Sequence, residues 1–185
     1  MTGPRTIFVD GYNVIRNTTA LAQVERGSLA AGRHALLARL AGKYRHTPHR
    51  VVVVFDGDTR SESAQPFPGL SRGRVIFTCA NDTADAVIIR LAAEARREGL
   101  DVTVISDDLE VRLGAGAYGA ATARVGDLQR RMDEAPRLLR KRFTHQATVK
   151  RILDGDGDEL PGQRSKGNSR KAPRKRGQPQ RESPL

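Results

Sequence analysis

The sequence predicts an α/β fold: a three-layer domain with a mostly parallel sheet and helices on both faces. Two observations carry this. Short β-branched runs recur along the chain and are continuously apolar rather than alternating, as strands buried on both faces require. Between them lie segments whose apolar residues recur at helical spacing, the alternation that builds βαβ units.

Taken in order, Thr6 to Val9 reads as the first strand. Ser28 to Tyr44 then reads as a helix, with Leu29, Leu36, Leu37, Leu40 and Tyr44 on one face. Val51 to Phe55 and Val75 to Phe77 are the second and third strands. Val87, Ile88, Leu91 and Ala95 mark the next helix, and Gly99 closes it. Val102 to Ile105 is the fourth strand, and Ala121 to Val125 a candidate fifth. Asp127 to Phe143 reads as a basic helix interrupted at Pro136. After about Gly155 apolar residues nearly vanish, and residues 161–185 cannot bury enough surface to offset chain entropy. The expected organisation is one folded domain over 1–155 and a basic disordered tail over 156–185.

Charge divides the same way. The 185 residues hold 32 Lys+Arg against 21 Asp+Glu, a net charge of +11. Residues 161–185 contain eight Lys or Arg and one acid, Glu182, which leaves only +4 to the rest. A single cysteine, Cys79, excludes an internal disulfide framework and a cysteine-rich zinc site. No apolar run approaches the roughly 18 residues a membrane span needs, and the N-terminus has no signal-peptide core. The expectation is a soluble cytoplasmic protein without a membrane partner.

The acids fall in a pattern. Asp10 follows the first strand, Asp56 the second, and Asp107 and Asp108 the fourth, after Ser106. Asp82 and Asp85 lie between the third strand and its helix. In an open parallel sheet the strand C-termini share one edge, and ligands bind in the crevice outside it. Carboxylates from several strand ends would meet there, repel one another and take up protons unless a cation joins them. Oxygen ligands without Cys or His suit Mg²⁺ or Mn²⁺. In a basic protein, such a site points to phosphodiester chemistry, with the metal activating water. Each acid also has a plainer structural reading. Asp85 can be a first-turn acid behind Thr83, Asp107 and Asp108 first-turn acids behind Ser106, and Asp56-Gly57-Asp58 a turn. Asp10, ending a buried strand before Gly11-Tyr12-Asn13, fits that reading least.

At Asp10-Gly11-Tyr12-Asn13-Val14-Ile15 the sequence resembles the opening of the YacP-type NYN domains, a branch of the PIN-like nucleases. The resemblance continues through Val53-Val54-Phe55-Asp56-Gly57, Asp82-Thr83-Ala84-Asp85 and Val104-Ile105-Ser106-Asp107-Asp108, and spans about residues 5–130. It implies a Rossmann-like PIN fold and metal-dependent endoribonuclease activity, with one characterised type cutting messenger RNA at the ribosome. It also implies that Asp10, Asp85 and Asp107 are catalytic, metal-binding acids for Mg²⁺ or Mn²⁺, with Asp56 and Asp108 supporting them. Asn13 would orient a metal-bound water or a phosphate oxygen, its alternative being a helix-cap or loop residue. Asp82 stands where the family more often has Glu, and its role stays open. The implied partner is RNA, messenger or ribosomal, with the ribosome as a further one.

Other signals fail their context. Gly114-Ala115-Gly116-Ala117-Tyr118-Gly119 matches a dinucleotide-binding pattern but follows a helix, so it reads as a flexible turn. Asp154-Gly155-Asp156-Gly157-Asp158 lacks the sixth-position Gly and twelfth-position Glu of a calcium loop. Cys79 reads as a small buried hydrophobe. With only three Tyr and five Phe, base stacking cannot be the main mode of RNA contact. Arginine dominates the basic residues, so Arg130, Arg131, Arg137, Arg140, Lys141 and Arg142 are the expected phosphate contacts. The leading reading is a Mg²⁺/Mn²⁺-dependent endoribonuclease; the alternative is an RNA-binding module of the same fold with little activity. A phosphotransferase using Asp10 as nucleophile lacks its Asp-x-Asp, because Tyr12 holds the second position.

Overall fold

The computed structural model describes residues 3–133. The expected tail, the boundary near residue 155, Arg137, Arg140, Lys141 and Arg142 lie outside the described residues. The chain runs β1 (Thr6–Asp10), α1 (Gly11–Arg16), α2 (Thr19–Gly27), α3 (Leu29–Tyr44), β2 (Arg50–Thr59), β3 (Ser63–Pro66) and β4 (Gly73–Cys79). It continues through α4 (Ala84–Arg97), β5 (Val102–Ile105), α5 (Leu109–Ala117), β6 (Ala121–Ala123) and α6 (Val125–Asp133). The six strands form one sheet in the order β3-β4-β2-β1-β5-β6, parallel except for β3 against β4. No described helix is long and apolar enough to cross a membrane.

The continuous apolar runs face both ways, as expected. Ile7, Val9, Val51, Val53 and Phe55 point to one core, which α1, α2, α3 and α6 close with Ile15, Leu21, Leu36, Leu40 and Leu128. Phe8, Val52, Val54 and Val104 point to the other, closed by Val87, Ile88 and Val111 of α4 and α5. Each such side chain, fully buried, contributes roughly 1.5–3 kcal/mol of transfer free energy. Gly99, at φ +77, ends α4 as its position suggests.

Several elements differ from the sequence expectation. Two helices fill Gly11 to Gly27, where none is predicted: α1 has six residues, and α2 buries only Leu21, so neither carries a readable apolar stripe. β2 runs on past Phe55 to Thr59 with a register shift on the way, so Asp56 lies within the strand rather than beyond it. β3 is an edge strand without a buried residue and with Pro66 at its end, which leaves no apolar pattern to read. Cys79, the last residue of β4, is only partly buried. The glycine-rich segment is helical through Ala117, not a turn. Val111 and Ala115 of α5 are buried against α4, and a Cβ at Gly114 would stand 2.6 Å from Ile89, so small residues let the two helices meet. The fifth parallel strand exists but is short, and Val125 already begins α6.

Candidate active site

The chain leaves central β1 for β2 on one side and returns through α4 to β5 on the other. Such a reversal opens a crevice outside the strand C-termini. Asp10 ends β1 there and is 5% exposed. Its Oδ1 accepts the Asn13 N–H at 3.1 Å, capping α1, and its Oδ2 accepts the Ser106 hydroxyl at 3.1 Å. The residue after it must be glycine, since a Cβ at Gly11 would stand 2.2 Å from the Phe55 ring.

The β5–α5 loop is tied to this corner twice. Ser106 is fully buried, and its Oγ accepts the Asp108 N–H at 3.0 Å while donating to Asp10. Asn13 Oδ1 accepts the Asp107 N–H at 2.8 Å and the Asn17 amide at 3.3 Å. From the far side, Asp56 Oδ1 accepts the Ala84 N–H at 2.8 Å, which seats the start of α4 beside β2. Asp85 sits in the first turn of α4, half-buried, with no hydrogen bond among the described residues. Asp82 Oδ1 accepts the Thr83 N–H at 3.0 Å, a local turn contact.

Burial pushes the Asp10 carboxyl up from 3.8 to about 6; Asp85 and Asp56 reinforce this by repulsion, against the Asn13 and Ser106 hydrogen bonds. Asp85 is also raised, first by burial and then by Asp108, Asp56 and Glu110. Asp10, Asp56, Asp85, Asp108 and Glu110 therefore share one field. Asp107 Oδ1 accepts the Val125 N–H at 3.0 Å, at the start of α6. Asp108 Oδ1 accepts the Glu110 and Val111 N–H groups at 2.7 and 3.3 Å, capping α5.

The acids are thus gathered at one edge but engaged one by one. Among the described residues, no three Asp, Glu, His or Cys side chains stand close enough to hold one ion between them. The donor chemistry nevertheless fits Mg²⁺ or Mn²⁺. Such ions keep several waters and take only one or two carboxylates, and Asp10 and Asp85 are two carboxylates raised above their usual range by burial and by the acids around them. Sequence reasoning missed Glu110, which carried no motif, and the buried bridge made by Ser106, which read only as a cap. Of the expected phosphate contacts, Arg130 and Arg131 are exposed on α6, and Arg130 is paired with Asp127. Gln129 fastens α6 to α1–α2 through the Thr18 hydroxyl at 2.6 Å and the Asn17 carbonyl at 3.1 Å.

An open α/β sheet with carboxylates at its switch point is the architecture of nuclease-like NYN/PIN-type domains. The chain belongs to the YacP-like NYN domain family, whose profile matches residues 7–157. It is 28% identical over 136 residues to the protein YacP of Bacillus subtilis (strain 168), described as uncharacterized, covering 74% of this chain and 79% of that one. The crystal structure of Rae1 (YacP) from Bacillus subtilis, in a form with one tryptophan changed to leucine, superposes with a TM-score of 0.58 at 26% identity, over 84% of this chain and 85% of that one. A second Rae1 crystal structure gives 0.56 at 24% identity, over 82% and 84%, and agrees in fold.

Proposed function

We propose that this chain is a Mg²⁺- or Mn²⁺-dependent endoribonuclease acting on single-stranded RNA, with messenger RNA on the ribosome as its substrate class. Asp10 and Asp85 would hold the ion, with Asp56, Asp108 and Glu110 adding negative charge around it. The chemistry such an ion supplies is a water of lowered pKa and neutralisation of the charge developing on the scissile phosphate. Asp10 is kept in one orientation by the Asn13 N–H and the Ser106 hydroxyl. Asp56 sets the start of α4 and with it Asp85, while Asp107 and Asp108 set α6 and α5. The observation that carries the reading is Asp10 itself: a buried carboxyl at the switch point, hydrogen-bonded in one orientation and raised by burial and by Asp85 and Asp56, whose charged form a cation would stabilise.

One observation favours the alternative, an RNA-binding domain with little activity. Asp10, Asp56, Asp107 and Asp108 each spend a carboxylate oxygen on a backbone N–H, as purely structural acids do. Nicking of labelled single-stranded RNA in Mn²⁺, with and without chelator, decides between the two. Cleavage should require the metal and be lost in Asp85→Asn, while RNA affinity in chelator stays within a few-fold. An Asp85→Asn protein cutting at the wild-type rate would end the metal reading. Comparing free with ribosome-bound messenger RNA tests the substrate class.

A further inference from the structure

A cavity of about 300 Å³ opens on the α3 side of the sheet, lined among others by Arg33, His34, Phe55, Gln65 and Phe77. That is the lower end of the roughly 300–1,000 Å³ of small-ligand pockets, space for one flat ring system and little more. A row of aromatic rings links it to the acidic crevice. Phe55 stacks on Phe77 with 5.6 Å between centroids and meets Tyr12 edge-on at 5.1 Å. The Phe55 ring is also the surface on which Gly11 packs, next to Asp10. Arg33 lies over Phe77, 5.5 Å from its centroid, and donates to the Tyr12 hydroxyl at 2.7 Å. Arg16 lies 5.1 Å from the Tyr12 centroid at the other end.

Packing alone does not account for this arrangement. Arg33 is half-buried, yet among the described residues it pairs with no carboxylate and uses one donor nitrogen. A guanidinium has five N–H donors and a flat face that stacks on rings. Phe77 is only partly buried, and both line the same cavity. In a chain with eight Phe and Tyr and no Trp, three stand in this one row. An RNA strand brought to a crevice of carboxylates is repelled by them. A cation and a ring beside the crevice offset that repulsion and hold the adjoining nucleotide in register.

We propose that this cavity is a subsite for one unpaired nucleotide of an RNA strand, its base against the Arg33–Phe77 pair and its phosphate on the free donors of Arg33. The ligand class rests on the endoribonuclease reading above; the test does not. Arg33 is then a binding residue that selects single strands, because a base must leave its stack to lie against a guanidinium or an aromatic ring. This contact is local and adds to the arginine-phosphate contacts expected along the rest of the surface.

The test uses the full-length chain in excess chelator, so that binding is read without cleavage. Dissociation constants are measured for a labelled single-stranded RNA and for the same sequence as a duplex, with wild type and with Arg33→Lys, which keeps the charge and loses the planar fork. Arg33→Lys should bind the single strand roughly five- to tenfold more weakly, the scale of one base-stacking contact, and leave duplex affinity unchanged. In parallel, 4-thiouridine RNA is photo-crosslinked to the wild-type protein and the adducts are mapped; they should include Phe77 or Gln65. Single-strand affinity within twofold of wild type, an equal loss on the duplex, or adducts confined to other segments overturns the proposal. If Arg33→Lys does not fold, the crosslinks decide alone. A chain that cuts nothing with any metal would end the nuclease reading and leave this result standing.

Discussion

The side-chain oxygen of Asn13 accepts the backbone N–H of Asp107 at 2.8 Å across 94 residues of chain. This bond pins the β5–α5 loop to α1, and the Ser106–Asp10 hydrogen bond pins the same loop to β1. The two positions the sequence marked as an amide for substrate and an acid for metal are therefore also a clasp. Removing the acceptor leaves a partly buried N–H unpaired, which costs roughly 1–3 kcal/mol. Asn13→Ala should accordingly lower the melting temperature and slow cleavage, while single-stranded RNA affinity in chelator holds. Wild-type stability and rate in that variant would show the clasp to be dispensable.

Metal-free stability should fall as pH rises from about 4 to about 6. The folded Asp10 carboxyl titrates at about 6 against an ordinary 3.8, so across that window the folded chain keeps a proton that the unfolded chain has released. The difference corresponds to about 3 kcal/mol once both states are ionised. The rise at Asp85 acts in the same direction. Denaturant unfolding in chelator, taken at a series of pH values, should show the decline in wild type and a flatter profile in Asp10→Asn.

Divalent metal should reverse that loss. A ligand that binds only the folded state stabilises it by about 2.7 kcal/mol at a hundred times its Kd. Millimolar Mn²⁺ should therefore raise the melting temperature of wild type near neutral pH, and much less that of Asp10→Asn. Equal shifts in the two proteins would place the ion elsewhere.

The C-terminal charge can be tested separately. The eight Lys or Arg in residues 161–185 have almost no apolar neighbours in sequence, so phosphate contact is what they have to offer. Each phosphate neutralised on a single strand adds about −0.7 to the slope of log K against log[salt]. Deleting 161–185 should weaken RNA binding strongly at low salt and little at high salt, with cleavage at saturating RNA nearly unchanged. A truncated chain that kept the full slope would assign binding to the folded domain, and Arg130 and Arg131 of α6 would be the next residues to change.

Much of the fold was legible because the buried strands are short and apolar without alternation. Val51 to Phe55 alternate between the two cores, so five consecutive apolar side chains are hidden on the two faces of the sheet. Of the helices the sequence does not predict, α1 is too short at six residues to show a helical period and α2 buries only Leu21, while β3 buries nothing. The glycine-rich run looked like a turn because the sequence does not display that α5 needs small residues to approach Ile89.

By itself the sequence determined the α/β class, the place of Asp10 at the end of the first strand and the family resemblance, because each depends on local pattern and order. Only the tertiary structure decided what each acid does. Asp10 is buried and ends the central strand, where the path of the chain places Asp85 and Asp56 in its field. Asp107, two residues past the end of β5, gives its Oδ1 to the Val125 N–H. Charge repulsion and hydrogen bonding depend on distance and direction across the fold. Residues that read alike along the chain therefore separate into a raised carboxyl and a satisfied cap once the sheet brings their neighbours in.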